Sequence, residues 1–375
     1  MLQRVYRRIR RRMPAAAFWL FVLAAVSGAL HLAMIASVRF ADAFNGSAAA
    51  FFRSVFAHLT NWIPFSLAET LILALPAIVI ATVVLCVRRA QRSGRRALYA
   101  VLGVLAVPAA VYSMFVWLFA AGYHASPLSE KLEIETRELS ADELAQAASI
   151  LAYNAGLSLD GVTFRYQDAS VMPYDLDMLS EKLVAAYDRL EADCPFLSQL
   201  SSRVKPIALS EPMTYTHISG MYTMFTGEAN VNVNYPDYVV AYTAAHELAH
   251  QRGIARENEA NFVAFLVCLA SDDPYIRYSG FLNMYEYVSD ALYSASPEYY
   301  GMVHGSLDAR IRYELRAYSL FFDRYRENTA ARVSETVNDT YLKMQGTEGT
   351  RSYGMVVDLA VAYLLGAPQN AAGGK

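Results

Sequence analysis

The first 122 residues contain no lysine and only two acids, Asp42 and Glu69. Thirteen arginines stand against them for a net of +11, while the remainder sums to −14, so the formal total of −3 hides two opposite halves. Cysteine is scarce as well. Cys86, Cys194 and Cys268 form no CxxC and no other cysteine-based metal spacing, which excludes a disulfide scaffold. Cys194 and Cys268 are the one pair a secreted domain could join, and without a framework they read as free thiols. Charged residues make up only 18% against 55% hydrophobic ones, too few charges for an ordinary soluble domain and too many for a chain lying wholly in lipid. The same balance excludes a disordered chain or a fibre. A nucleic-acid binder is excluded because the soluble half is acidic and the arginines flank apolar runs. Internal repeats and low-complexity runs are missing.

What is present begins with three apolar stretches, about 15–38, 63–87 and 97–123, each long enough for a bilayer that needs about 20 helical residues. The first has an apolar core longer than that of a signal peptide, so Ala41-Asp-Ala43 is not read as a cleavage site. Arg4, Arg7, Arg8, Arg10, Arg11 and Arg12 precede the first span, and Arg88, Arg89, Arg92, Arg95 and Arg96 fill the loop between the second and third. The connection from Arg39 to Trp62 holds only Arg39 and Arg53. Positive loops stay in the cytoplasm, which predicts a cytoplasmic N-terminus and an extracytoplasmic chain after Tyr123. Glu69 falls inside the second span, where a carboxylate needs a partner or the headgroup level.

Residues 124–375 read as amphipathic helices around a small β region. Ser140-Ala-Asp-Glu143 forms a capping-box start, and a second helix is expected over 176–193. Strands are expected between Val204 and Asn234, with Val231-Asn-Val-Asn alternating as an edge strand would. From Pro236 to about Leu365 the pattern is helical, and apolar Met355–Leu365 is too short to span and is expected to pack on the domain.

The chemistry lies in His246-Glu247-x-x-His250. On a helix, i and i+4 share a face, so two imidazoles can offer nitrogens to one cation. Glu247, rotated by about 100° from His246, sits beside the metal and can take a proton from bound water, whose pKa a metal lowers to about 7. Gly253 permits a left-handed stop to this helix, and a second apolar helix follows over Glu257–Leu269. Glu257 is the expected third ligand, with Glu259 as the alternative. Asn261, one turn after Glu257, can orient a ligating group through a hydrogen bond. Two imidazoles and one carboxylate leave a coordination position open, as in catalytic rather than structural Zn2+ sites.

His246-Glu-x-x-His250 followed by Glu257-x-x-Ala260-Asn261 resembles the gluzincin metallopeptidases, and the Glu257-x-Glu-Ala-Asn261 segment is similar to that of bacterial antirepressor-type metallopeptidases. The whole chain, including Thr226-Gly-Glu-Ala-Asn230 and His246-Glu-Leu-Ala-His-Gln-Arg-Gly253, is similar to an uncharacterised bacterial membrane family of unknown function. Two departures stand out: Asn261 occupies a position where aspartate is common, and the gap from His250 to Glu257 is shorter than in most gluzincins. The resemblance implies a membrane region, residues 1–123, with three transmembrane helices, and a mostly helical α+β zincin-like extracytoplasmic domain, residues 124–375, with a small β-sheet. It also implies an edge strand lining the cleft, for which Phe225–Asn234 is the candidate, and a side chain stabilising the oxyanion, for which Tyr353 and His217 are candidates.

The expected function is that of a multi-pass zinc metallopeptidase of the bacterial cytoplasmic membrane. It would hydrolyse peptide bonds outside the cytoplasm, with peptide or protein substrates that include those of the cell envelope. A catalytically inactive zincin-fold receptor or envelope assembly factor is the alternative. With three spans and one intramembrane acid, a transporter lacks a pathway.

Overall fold

Small and apolar residues wind α1 (Ala15–Ala36) at the start of the computed structural model, which describes residues 13–326, 328–347 and 355–366. The segment that follows was expected to be a connecting loop and is instead helical: α2 (Val38–Phe44), a π-helical turn over Asn45–Ala49, and α3 (Ala50–Asn61). Its pattern explains why. Arg53, Ala57 and Thr60 face inward, while Phe51, Val55, Leu59 and Trp62 recur at helical spacing on an exposed apolar face.

The second span, α4, runs over Leu67–Ala90, four residues later than the apolar run suggests. Pro64 interrupts the start of that run, and the Ser66 hydroxyl accepts the Glu69 amide at 3.0 Å as an N-cap. Glu69 is therefore in the first helical turn and not deep in the span. The third span, α5 (Gly94–His124), includes a π-helical segment at Val116–Ala120. Length and hydropathy suit α1, α4 and α5 to a bilayer, and the most apolar stretch of α4 is entirely unburied.

The remainder is mostly helical. It comprises α6 (Ala141–Ser158), α7 (Leu176–Arg189), α8 (Asp237–Gln251), α9 (Glu257–Ala270), α10 (Pro274–Ala295), α11 (Pro297–Ser306), α12 (Ala309–Phe322), α13 (Thr329–Met344) and α14 (Val356–Gly366). Ser140 and Glu143 form the expected capping box at α6. The expected packing of the last apolar helix holds, with α14 lying against α6, α9 and α10. Cys194 and Cys268 are buried and free.

Two small sheets interrupt the helices: a hairpin of β1 (Thr163–Phe164) and β2 (Ser170–Val171), and a three-stranded sheet of β3 (Val204–Pro206), β4 (Gly220–Thr223) and β5 (Glu228–Val231) in the order β3-β5-β4. β3 is parallel and β4 antiparallel to β5. The expected edge strand within Phe225–Asn234 is thus the central one. Its asparagines are internal ties rather than solvent-facing residues: Asn230 Nδ2 donates to Met221 O at 3.1 Å and Asn232 Nδ2 to Thr214 Oγ1 at 3.0 Å. The edge is β4.

The sheet and the spans are locked together by reciprocal caps. Glu228, on β5, accepts the amides of Leu67 and Ala68 at 3.1 and 2.9 Å, placing a carboxylate at the positive N-terminus of α4. Lys205 of β3 pairs with that carboxylate and donates to Thr60 O at 2.9 Å, so a buried charge pair is fully engaged. In return, Glu69 accepts the amides of Ala208 and Leu209, both at 2.8 Å. Its partners lie in the polypeptide outside α4, so the one acid of that apolar helix is satisfied by backbone amides.

Candidate metal centre

α8 is buried on nearly every face, as a helix apolar all round must be. It carries His246, Glu247 and His250 into the interior. Gly253 then ends it with φ +97°, a conformation that favours glycine. Glycine is required there twice over, because a Cβ would also stand 2.3 Å from the Arg53 guanidinium. The chain reverses and α9 brings Glu257 back against the two histidines.

The geometry converges on one point. Nε2 of His246 lies 3.3 Å, and Nε2 of His250 3.5 Å, from the same Glu257 oxygen, Oε2. Ligand atoms of a tetrahedral zinc with bonds of about 2.0–2.1 Å are separated by about 3.3 Å, so both spacings suit a shared cation. One donor atom from each of the three residues fits within 4.8 Å. The outward nitrogens are held: His250 Nδ1 donates to Ile254 O at 2.7 Å, and His246 Nδ1 lies 2.9 Å from Asn261 Oδ1. In the neutral tautomer with the proton on Nδ1, which metal ligation requires, each ring would direct its Nε2 lone pair inward. Asn261 is itself fixed by its carbonyl, which accepts the Tyr242 hydroxyl at 2.7 Å.

Electrostatics agree with a cation-seeking site. Burial disfavours a charged His250, but the facing Glu257 carboxylate outweighs it and lifts the imidazole to about 9. Burial likewise opposes ionisation of Glu257, and the two imidazoles overcome it, holding the carboxyl well below its ordinary range. Glu247, the neighbour of His246, is buried and pushed upward by that burial, partly offset by the imidazoles. Among the described residues its buried Oε2 has no hydrogen-bond partner, which costs free energy in a folded chain. A carboxylate of raised basicity beside two convergent imidazoles can abstract a proton.

Glu259, the alternative ligand, points elsewhere: its Oε1 accepts the Leu128 amide at 2.9 Å and pairs with Arg256 at 2.8 Å. Arg256 in turn donates to the carbonyls of Tyr123 and Ala125 at the end of α5. His217 has its Nε2 2.7 Å from Tyr325 O and its ring against Phe322, so its polar edge is already engaged. Tyr353 lies outside the described residues.

Other neighbours had no local sequence signal. The Phe119 ring of α5 meets the His250 ring edge-on at 6.0 Å, and Tyr222 of β4 lies 5.6 Å from Phe119. Tyr123 of α5 and Tyr341 of α13 join hydroxyls at 3.3 Å, with Tyr341 near enough to Glu257 to feel its charge. Gly122 packs on the turn between α8 and α9, 2.8 Å from Gly253 O by its Cβ position, and Asn45 Nδ2 donates to that same carbonyl at 3.0 Å. The centre is therefore built on the end of the third apolar helix.

Residues 47–361 match the family described as "Protein of unknown function (DUF3810)". The chain belongs to that family. The DUF3810 region takes in α3, α4, α5 and the whole convergent site, so the caps between spans and sheet and the His246–His250–Glu257 cluster fall within one family unit. No curated protein and no solved structure matches the chain.

Proposed function

We propose that this DUF3810 member is a membrane-anchored zinc metallopeptidase working on the outer side of the bacterial cytoplasmic membrane. One observation carries the reading: two Nε2 atoms face a single Glu257 oxygen while Glu247, immediately beside them, keeps an unpartnered buried oxygen. The likeness of His246-Glu-x-x-His250 and Glu257-x-x-Ala-Asn261 to the gluzincin pattern supports it, and the arginine clusters around the apolar helices support the orientation.

His246, His250 and Glu257 would hold the ion, and zinc so held supplies Lewis acidity toward a carbonyl and toward water. Glu247 takes the proton from the attacking water and delivers it to the departing amine, the two halves of general base and general acid work. Asn261 and the Ile254 carbonyl keep the imidazoles in the required tautomer. β4, the edge strand beside Glu247, offers its backbone to an extended peptide.

The test is metal analysis of the purified full-length chain beside His246→Ala, together with peptide cleavage by wild type and Glu247→Gln. The expected result is one zinc per chain, lost in His246→Ala. In Glu247→Gln zinc is retained while cleavage falls by about 10²–10⁴. A chain that binds no transition metal overturns the reading. So does a Glu247→Gln variant with full biological activity, which assigns the fold to a receptor or assembly role.

A further inference from the structure

We infer, resting on the peptidase reading above, that the substrates are polypeptides tethered to the bilayer and cut within a few residues of it. The argument begins from depth. About 20 residues cross the hydrocarbon core of about 30 Å, so the apolar part of α5 beginning near Ala97 leaves that core near residue 117. Phe119 lies within one helical turn of that level, about 3 Å at 1.5 Å per residue. Its ring touches both walls of the site: His250 at 6.0 Å and Tyr222 of the edge strand at 5.6 Å.

A second, independent observation gives the same level. α3 packs on the π-helical segment of α5 and turns Phe51, Leu59 and Trp62 outward, with Trp62 77% exposed. An amphipathic helix with a Trp on its exposed apolar face suits the interface between lipid and water, where Trp is enriched. Glu228 of β5 accepts the Leu67 and Ala68 amides, and Glu69 accepts those of Ala208 and Leu209 just after β3, so the sheet is tied to the first turn of α4. An extended chain advances about 3.3 Å per residue, so a short stretch of polypeptide leaving the bilayer beside α5 reaches the strand whose Tyr222 lies 5.6 Å from Phe119. A free polypeptide gains nothing from this placement, whereas one anchored beside the enzyme is delivered to it at raised effective concentration.

The test reconstitutes the zinc-loaded full-length chain in lipid nanodiscs. It offers a randomised ten-residue peptide library in three forms: free, fused directly to an apolar transmembrane helix, and fused through a 20-residue Gly/Ser spacer. Cleavage is read by mass spectrometry, with Glu247→Gln as blank. The expected result is at least tenfold faster cutting of the directly fused form, at positions within about five residues of the anchor. Equal cutting of free and anchored forms, or preference for the long spacer, overturns the inference and leaves the peptidase reading intact. Cutting of none removes both. A measurement without catalysis accompanies it: a nitroxide at Thr223→Cys in a Cys86→Ser background, whose depth is read by paramagnetic accessibility. A label within about 10 Å of the headgroup level supports the inference, and one farther out in water overturns it.

Discussion

Gly220 of β4 lies so close to Glu247 that a Cβ built on it would stand 2.5 Å from Oε1 and 2.8 Å from Cγ of that glutamate. The same Cβ would meet Thr243 Cγ2 at 2.5 Å, and its three nearest atoms belong to Glu247 and Thr243 and not to the convergent ligands. Gly220→Ala is therefore expected to displace Glu247, the proposed general base, and to spare the proposed zinc ligands. A misplacement of about 1 Å can lower turnover by about 10²-fold. Zinc content and kcat/KM measured on the same preparation check this; unchanged turnover, or loss of zinc, would show that β4 does not position Glu247.

Glu257 and Glu259, both in the first turn of α9, are expected to separate cleanly on mutation. Glu257→Gln removes the anion facing both imidazoles and should abolish stoichiometric zinc. Glu259→Gln keeps zinc but weakens the bonds to Leu128 N and Arg256, a cost of about 1–3 kcal/mol for a buried charged hydrogen bond. Elemental analysis paired with thermal unfolding distinguishes them. Zinc lost in Glu259→Gln and kept in Glu257→Gln would reverse the ligand assignment.

These contrasts also show what was legible before folding. His246, Glu247, His250, Glu257 and Asn261 lie within 16 residues, on two helices joined by a short turn through Gly253, so helical periodicity and a single turn suffice to predict their meeting. The spans and the capping box at Ser140 were legible for the same reason, being local. Phe119, Tyr222 and Tyr341 come from distant elements, and only tertiary docking places them by the site. The alternation of Val231-Asn-Val-Asn misled about the edge because a buried asparagine bonded to backbone and an exposed one look alike in sequence. The helices over 38–61 were missed because an arginine in an apolar segment reads as a loop charge; Arg53 is instead buried, donating to Asn45 and to Leu118 O.

The Asn261 side chain meets the cluster through Nδ1 on the outer side of the His246 ring, so its loss should change affinity rather than ligand count. Asn261→Ala leaves Nδ1 of His246 without its acceptor and frees the ring to turn. The expected effect is a zinc affinity about 10–100-fold weaker, measured by competition with a chelator. Asn261→Asp, which restores an acceptor, should recover most of it. An Asn261→Ala variant with wild-type affinity would leave this residue no role at the centre.

Glu286 of α10 gives the chain a pH dependence away from the metal centre. Burial, against a 3.0 Å hydrogen bond from the Tyr238 hydroxyl, pushes its carboxyl up to about 8 from an ordinary 4.5. The folded state thus holds this proton more tightly than the unfolded one. The corresponding stability is complete below about pH 4.5 and is lost as the pH rises through about 8. Glu314 of α12, raised by burial to about 6, acts in the same direction over a lower window. The melting temperature of the full-length chain in nanodiscs is expected to fall by a few degrees between pH 5 and 8.5. Glu286→Gln, which carries no titrating proton, should flatten the upper part of that fall and melt higher than wild type at pH 8.5. Parallel pH profiles for the two chains would mean that Glu286 is ionised and solvated in the folded protein, with the slope originating elsewhere.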